Sequence, residues 1–281
     1  MNRTDIKKYD LPDTPGVYLF RDARQNILYV GKATSLRDRV RSYFANDLIN
    51  MRGERIVAMV ERATNLKWRE CGSVLEALIL EANLIKKHQP PYNVDEKDDK
   101  SWNYVVLTKE SPPAGGFPRV LLVRGRELFD SIKNGSIGKA SPYGIRHQFG
   151  PFPQGGALKE ALKIVRKIFP YRDTCTPYDD QKLKSQTFKS GRPCFNRQLG
   201  LCPGVCTGEV SKIEYARTVR HITQLFSGNM RGLKRTLERE MKAAAKSECF
   251  EEAARLRRQI VALDHIRDVS LIKIEYRGEG S

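Results

Sequence analysis

The chain has 281 residues, of which 40% are hydrophobic and 30% are charged, so it can bury a core in about two domains. Its formal net charge of +17 favours a polyanionic partner, and nucleic acid more than an anionic membrane surface. No stretch approaches the roughly 18 apolar residues of a spanning helix, and the first residues lack the apolar core of a signal peptide. We therefore expect a cytoplasmic protein with six reduced cysteines, of which those that cluster serve as metal ligands rather than as disulfides.

The pattern of the first 95 residues predicts a small α+β domain. Two β-rich runs joined by a polar link are typical of an antiparallel hairpin. Apolar residues at helical spacing, preceded by Ser35 and Ser73 as candidate N-caps, predict two helices, and Pro90 ends the second. The predicted elements are strands 16–20, 27–31 and 66–71 and helices 36–44 and 74–89.

Three further regions are predicted after this domain. The mixed αβ region 96–170 contains candidate strands at 104–107 and 120–123 and an amphipathic helix at 157–169. The region 171–210 has little periodicity and four cysteines, and a loop of this length needs a clamp to be ordered. The region 211–275 is helical, with a hairpin of two helices at 230–265 that is broken at 246–249.

The first domain combines cations, phenols and a carboxylate. From composition alone, the cations after the hairpin, such as Lys32 and Arg39, fit a solvated basic helix, and Glu76 fits a capping box with Ser73. The same groups also supply what hydrolysis of a phosphodiester requires. These requirements are a ligand for a hard cation, positive charge for the transition state and a proton acceptor for water.

Four sequence blocks occur in the order and at the spacing of GIY-YIG nucleases. They are Thr14–Tyr18, Tyr29–Ala33, Leu36–Phe44 and Glu76–Lys87, and the last is followed by Pro91–Asn93. The second block reads Tyr-Val-Gly where the family name has Tyr-Ile-Gly, which is an exchange of aliphatic residues. The fourth block and its continuation resemble the N-terminal half of the UvrC family of bacterial excinucleases. This resemblance implies an α+β fold: a GIY-YIG domain with a small antiparallel sheet and helices, then a mixed αβ region with a four-cysteine metal cluster and a helical hairpin.

The resemblance also implies roles for individual residues of a nuclease site. Glu76 matches the single carboxylate that holds Mg²⁺ or Mn²⁺, and this sparse ligation suits Mg²⁺. Arg39 matches the arginine that stabilises the scissile phosphate. Tyr29 matches the tyrosine that helps to deprotonate the attacking water, for which Lys32 or the metal must lie nearby, since a free tyrosine has a pKa of about 10. The remaining catalytic positions implied by the resemblance are Tyr18, Tyr43 and Asn93.

The four cysteines of the third region form a second candidate site. They are Cys175, Cys194, Cys202 and Cys206. Their irregular spacing suits either Zn²⁺ or a [4Fe–4S] cluster. The resemblance favours [4Fe–4S], with a structural role for a loop that cannot bury a core. A basic excess in this region also fits contact with DNA, and Cys71 and Cys249, outside the cluster, are expected to be small buried residues.

The helical hairpin has two interpretations. Two short helices bury little surface alone, so the pair either caps the core of this chain or binds a partner. Phe250–Ile260 resembles the UVR motif, which implies UvrB as the partner. Family members usually have Arg-Asp where this chain has Arg257 and Arg258, and this departure would weaken or re-tune the pairing.

Taken together, the resemblance implies a DNA endonuclease that makes the incision 3′ to a lesion in nucleotide excision repair. Its partners would be UvrB and damaged double-stranded DNA, with no membrane. The resemblance covers about the first half of the family's length and leaves out its second nuclease domain and its helix-hairpin-helix motifs. The chain would then be a natural short homologue or a truncated UvrC. The alternative is a non-catalytic adaptor that binds UvrB and DNA, although the active-site residue types are all present.

Overall fold

The computed structural model describes residues 1, 3–45, 53–93, 102–109, 116–133, 144–178 and 192–264. The chain divides into two compact units, the first centred on residues 1–93 and the second on residues 102–149 and 161–262. No helix within the described ranges is long and apolar enough to cross a bilayer. Each unit combines helices with a three-stranded sheet, so the predicted α+β class is confirmed.

The first unit is built on a sheet with the strand order β2-β1-β3. Its elements are α1 (Arg3–Ile6), β1 (Gly16–Arg21), β2 (Ile27–Ala33), α2 (Leu36–Ser42), α3 (Glu54–Arg62), β3 (Asn65–Glu70) and α4 (Val74–His88). The predicted hairpin is confirmed, since β1 and β2 pair antiparallel with Tyr18 opposite Gly31. The helix α3 was not predicted, and it follows Gly53 without a side-chain cap.

Helices cover both faces of this sheet, and the side chains of β1 point alternately to one face and the other. Tyr18 and Phe20 point to one face and join a buried cluster with residues of α2 and α3. Val17 and Leu19 point to the other face and pack against α4. The small sheet is therefore the middle layer of three, which is why β1 is buried along almost its whole length.

Local capping signals set the helix boundaries near the candidate site. The Ser35 hydroxyl accepts the backbone N–H of Asp38 at 3.2 Å, and the Ser73 hydroxyl accepts that of Glu76 at 3.1 Å. Both predicted N-caps are therefore confirmed. Gln89 adopts a left-handed conformation (φ 47°) and ends α4 before the two prolines, as the sequence predicts.

The second sheet has the order β5-β4-β6, and β4 and β5 pair antiparallel. The later elements are β4 (Asn103–Thr108), β5 (Val120–Arg124), α5 (Gly125–Lys133), β6 (Ile145–Phe152), α6 (Gly155–Ile168), α7 (Phe195–Gln198), α8 (Lys212–Phe226), α9 (Met230–Lys246) and α10 (Phe250–Asp264). The two predicted strands, the amphipathic helix and the helical hairpin are confirmed. The strand β6 and the helix α5 were not predicted.

Candidate active site

Two helices begin at the same end of the first sheet. Gly16, the first residue of β1, pairs with Ala33 at the end of β2 and with Glu70 at the end of β3. The helix α2 follows β2 after two residues, and α4 follows β3 after three. The fold therefore brings the starts of the helices that carry Arg39 and Glu76 to one end of the sheet.

The short segment before β1 fixes this junction. The carbonyl of Thr14 accepts the backbone N–H of Leu36 at 3.1 Å, and the carbonyl of Pro15 accepts that of Cys71 at 2.8 Å. The Thr14 hydroxyl also donates to the Glu70 carboxylate at 2.8 Å. One segment is thus hydrogen-bonded to the entries of both α2 and α4, and this explains why the first sequence block sits directly beside the candidate site.

Three tyrosines and an arginine form a cluster on one face of the sheet. The hydroxyls of Tyr18 and Tyr43 are 2.7 Å apart and buried. The ring of Tyr29 lies 6.2 Å from each of the other two rings, between centroids. The guanidinium of Arg39 is hydrogen-bonded to Tyr18. The structure therefore brings together four of the seven residues predicted for the site.

Burial and mutual contact fix the charge states of this cluster. Burial raises the pKa of Tyr18 well above its usual value, and Tyr43 raises it further. The pKa of Tyr29 is also well above its usual value, because of burial, the two other phenols and the carboxylate of Glu81. Burial lowers the pKa of Arg39, but the neighbouring phenols outweigh this effect and its pKa is raised. At neutral pH Tyr18 and Tyr29 are therefore neutral phenols beside the charged guanidinium of Arg39.

Gly31 has no room for a side chain. It pairs with Tyr18 across the hairpin, and a Cβ at this position would overlap the Tyr18 hydroxyl. The glycine of the second sequence block is therefore needed for the packing of a predicted catalytic tyrosine, and not for backbone flexibility.

Asn93 closes the outer edge of β2, which is an edge strand of the sheet. Its Oδ1 accepts the backbone N–H of Val30 at 2.7 Å, and its Nδ2 donates to the carbonyl of Val30 at 2.7 Å. The backbone N–H of Tyr92 donates to the carbonyl of Leu28 at 3.1 Å. The structure thus places the amide of Asn93 on the backbone between Tyr29 and Gly31, where it positions the strand.

Glu81 also forms a hydrogen bond with the backbone of β2, and it was not predicted as a site residue. It is 6% exposed, and its Oε1 accepts the backbone N–H of Lys32 at 2.9 Å. Lys32 is itself buried, at 4% exposed. The sequence signal was an acidic residue between Leu78 and Ile85 on the apolar stripe of α4, since a carboxylate in that position must find a buried partner.

Glu76 lies in the first turn of α4, on the helix that covers the opposite face from the tyrosines. It is partly exposed, and its Oε2 accepts the backbone N–H of Gly72 at 2.8 Å. Its carboxylate also raises the pKa of Cys71, to about 12, although burial of that thiol is the larger cause. The contacts of Glu76 within the described residues are thus with the turn before α4 and not with the tyrosine cluster.

The predicted cysteine cluster is formed in the second unit. The Sγ atoms of Cys175, Cys194 and Cys202 all lie within 4.8 Å of one another. The backbone N–H of Cys194 donates to the Sγ of Cys206 at 3.4 Å, so the fourth cysteine lies beside the other three. The Cys175 thiol lowers the pKa of Cys202, with help from backbone N–H groups, and the pKa of Cys175 is raised in return.

Two arginines hold the backbone around this cluster. Arg172 is 1% exposed and donates to the carbonyl of Cys175 at 2.6 Å and to that of Phe117 at 2.5 Å. Arg166 donates to the carbonyl of Leu201 at 2.9 Å and to the carboxylate of Asp173 at 2.6 Å. Side-chain hydrogen bonds therefore hold the backbone beside the cysteines, at residues 173–175 and 201.

The two cysteines outside the cluster differ from each other. Cys71 is 8% exposed and packs in the core between β1 and α4, as predicted. The prediction that Cys249 is buried was wrong, because this residue lies in the exposed turn that joins α9 to α10.

The helical hairpin is docked on the second unit along one side. Gln259 donates to the carbonyl of Ile168 at 2.8 Å in a buried contact. The Nε2 of His221 lies 3.1 Å from the carboxylate of Glu240, between α8 and α9. The other side stays exposed, and Phe250 at the start of α10 is 67% exposed. The hairpin therefore has an intramolecular contact and a surface that remains available.

Three segments of the chain match the models of known protein families. Residues 14–94 match the UvrC-like GIY-YIG domain, residues 107–225 match the UvrC/Cho excinuclease middle domain, and residues 232–266 match the UvrB/UvrC motif. In all three segments the chain is UvrC-like. The predicted resemblance and the predicted GIY-YIG endonuclease domain are thereby confirmed.

Individual relatives agree with this assignment. The UvrABC system protein C of Desulforudis audaxviator is 39% identical over 91% of this chain and 36% of its own length. The protein of the same name from Carboxydothermus hydrogenoformans is 39% identical over 92% of this chain and 38% of its own length. The chain thus spans little more than a third of the length of these relatives. The crystal structure of the N-terminal GIY-YIG endonuclease domain of UvrC from Thermotoga maritima, bound to magnesium, is 40% identical, with 34% of this chain and 100% of that chain covered and a TM-score of 0.29.

Proposed function

We propose that the chain is a metal-dependent DNA endonuclease that makes the incision 3′ to a lesion in nucleotide excision repair. The observation that carries this proposal is the cluster of Tyr18, Tyr29, Tyr43 and Arg39 near the sheet end where α4, with Glu76 in its first turn, also begins. This cluster lies in the segment that matches the UvrC-like GIY-YIG domain. The net charge of +17 supports a polyanionic substrate.

Arg39 and the buried phenols would stabilise the transition state. The guanidinium of Arg39 is charged at neutral pH, so it can stabilise the negative charge that develops on the pentacovalent phosphate. Tyr18 and Tyr43 share a hydrogen bond, and Tyr18 also interacts with Arg39. In this arrangement the phenols would orient the guanidinium toward a phosphate oxygen.

Glu76 is suited to hold a hard cation. One of its carboxylate oxygens accepts the N–H of Gly72, and within the described residues no hydrogen bond is recorded to the other. An oxygen ligand that is partly exposed and leaves room for water matches the preference of Mg²⁺ or Mn²⁺. When bound there, such an ion would polarise the phosphate and lower the pKa of a water molecule.

Tyr29 would accept a proton from the attacking water only if its pKa were lowered. Its raised pKa means that the free site holds a neutral phenol. Positive charge close to its hydroxyl would lower that pKa, and Arg39, which interacts with Tyr29, or a bound metal ion would supply it. Lys32 pairs with Val17, so strand alternation places it on the opposite face of the sheet from Tyr29.

The hairpin is the proposed site for recruitment by UvrB. Residues 232–266 match the UvrB/UvrC motif, and the exposed start of α10 with Phe250 leaves an apolar contact for a partner. We further propose a division into domains at 1–95, 96–170, 171–210 and 211–275, and an action in the cytoplasm.

The cysteine cluster is proposed to hold a structural metal, [4Fe–4S] or Zn²⁺. The resemblance favours [4Fe–4S]. The spacing of the three sulfur atoms, within 4.8 Å, favours Zn²⁺. A tetrahedral zinc ion holds sulfur atoms about 3.8 Å apart at its usual bond length, whereas a cluster that binds each thiolate through a different iron spreads them further. Metal analysis of protein purified without oxygen, together with its visible absorption, separates the two.

An incision assay tests the proposed function. End-labelled duplex with one bulky lesion is loaded with UvrA and UvrB and mixed with the protein and Mg²⁺. We expect a single nick on the 3′ side of the lesion and a loss of at least about 100-fold in rate for Glu76→Gln. This variant keeps an oxygen that can accept the N–H of Gly72. Glu61→Gln, an exposed residue of α3 in the same unit, is the matched control and should cut like the wild type.

The second candidate is a non-catalytic adaptor that binds UvrB and DNA. It is favoured by one observation, that the contacts of Glu76 in the described residues do not include the tyrosine cluster. The same assay decides between the two. No nick from the wild type, with UvrB binding retained, would establish the adaptor and refute the nuclease.

A further inference from the structure

The second unit contains a cavity of about 440 Å³ that has no role in the proposed nuclease site. Its walls are the end of β4, the residues that precede β5, the start of β6 and the first turns of α8. Three cations line it: Lys109, Arg146 and Lys212. All three are exposed to solvent, and no acidic residue is among the described residues of the lining.

One wall of the cavity is held rigidly against α8. The hydroxyl of Tyr215 donates to the carbonyl of Pro118 at 2.7 Å, and Arg172 donates to the carbonyl of Phe117 at 2.5 Å. Gly116 has a φ of +103°, and a Cβ on it would lie 3.0 Å from the side chain of Lys212. The glycine therefore lets the stem of Lys212 pack on the wall, while its ammonium group stays exposed to solvent.

The cavity also presents apolar surface. Ile213 is 78% exposed and lines the cavity beside Pro118 and Val219. A rim of cations around an apolar surface is the arrangement that binds a phosphate together with a flat, weakly polar group. The volume lies within the range of about 300–1,000 Å³ that is usual for small-molecule sites, and a single nucleotide is of this class.

We propose that this cavity binds one nucleotide of an unpaired DNA strand. Its phosphate would lie between Arg146 and Lys212, and its base would lie on Ile213 and Pro118. The proposal rests on the proposed function in taking DNA as the ligand, and it adds a binding site in the second unit for DNA that is opened or unstacked near a lesion. A free nucleotide offers the same chemistry, and the test separates the two sources.

The test measures binding without cutting. Fluorescence anisotropy of a labelled oligothymidylate is recorded without added Mg²⁺ and without chelator, so that a metal held by the cysteines stays in place, for the full chain and for the double variant Arg146→Gln/Lys212→Gln. We expect affinity to fall by at least tenfold and the salt slope of log K to decrease by about 0.7, since the two cations hold one phosphate and each phosphate contact with a single strand contributes about 0.7. The control Arg239→Gln/Lys242→Gln removes the same charge from exposed positions on α9 and should lower affinity less than threefold.

A third variant separates base contact from charge. Ile213→Ser should weaken binding about threefold to tenfold with an unchanged salt slope, because it alters stacking surface and no charge. Competition by deoxythymidine monophosphate at millimolar concentration, as strong as that by an oligonucleotide of equal phosphate content, would overturn the strand as ligand. Equal affinity losses in the cavity variant and its control would overturn the site. A protein that binds as proposed but never nicks lesion DNA would refute the nuclease and leave this site standing.

Discussion

Replacement of Asn93 by alanine tests whether this residue positions the site or takes part in its chemistry. The structure gives Asn93 two hydrogen bonds to one residue, since its amide pairs with both the N–H and the carbonyl of Val30 at 2.7 Å. Val30 is fully buried. Removal of the amide therefore leaves two backbone groups without their partner at the edge of β2, one residue from Tyr29.

The expected size of the effect follows from the loss of these two hydrogen bonds. A buried polar group that loses its partner costs about 1–3 kcal/mol. Asn93 is only partly buried, so water can reach one of the two groups, and we expect a loss of about 2–4 kcal/mol in the local stability of the edge. Asn93→Asp keeps an acceptor for the N–H, but its second oxygen would face the carbonyl of Val30 and repel it. Its loss should therefore be no smaller than that of the alanine variant.

Hydrogen exchange of the Val30 amide is the assay, because it reports local opening in the full chain. A loss of about 2–4 kcal/mol corresponds to a fall in protection of about 30-fold to 1,000-fold. Asn26→Ala is the matched control, since the Asn26 amide donates to Asp22 in an exposed turn of the same unit and its loss should matter little. Unchanged protection of Val30 together with a lost incision would refute the reasoning and make Asn93 a chemical participant.

Three further predictions follow from the described contacts. Gly31→Ala should destabilise the first unit by about 1–3 kcal/mol or more, because the new Cβ overlaps the Tyr18 hydroxyl, and denaturant unfolding measures this. The raised pKa values of Tyr18 and Tyr29 stabilise the fold below the unfolded value of about 10, and this stabilisation is lost as the pH rises beyond it. The free energy of unfolding should therefore fall less steeply between pH 8 and pH 11 in the double variant Tyr18→Phe/Tyr29→Phe than in the wild type. An equal slope in the two proteins contradicts the prediction. Cys202→Ala should lose the bound metal and lower the melting temperature, and a variant that loses its metal at an unchanged melting temperature disproves a structural cluster.

Elements with local signals could be predicted from the sequence. The β1–β2 hairpin has two β-rich runs and a polar link, and Ser35 and Ser73 both cap the helices that follow them. The helix α3 begins after Gly53, which offers no side-chain cap, so its start carried no signal. The strand β6 contains Gly150 and Pro151, two residues that argue against a strand in any sequence pattern.

The residues of the candidate site likewise fall into those that local sequence patterns predict and those that depend on distant contacts. Tyr18, Tyr29, Arg39 and Tyr43 come together because strand alternation and helix period are local rules, and each residue lies on a strand or helix that the sequence predicts. The roles of the groups on the β2 edge depend on contacts across many residues along the chain. Glu81 lies 49 residues from the strand that it holds. No periodicity in a single sequence indicates which edge a buried carboxylate will meet.

The closure of β2 by side chains connects the fold with the proposed chemistry. An exposed strand edge invites pairing with another chain, and a further strand is the usual protection. Here Asn93 and Glu81 satisfy the edge instead, at Val30 and Lys32. A side chain covers one or two backbone groups and leaves the rest of the surface open, which a full strand does not. The outer edge of β2 is therefore protected without a further strand on that side, which leaves the end of the sheet open to the phosphate of the proposed substrate.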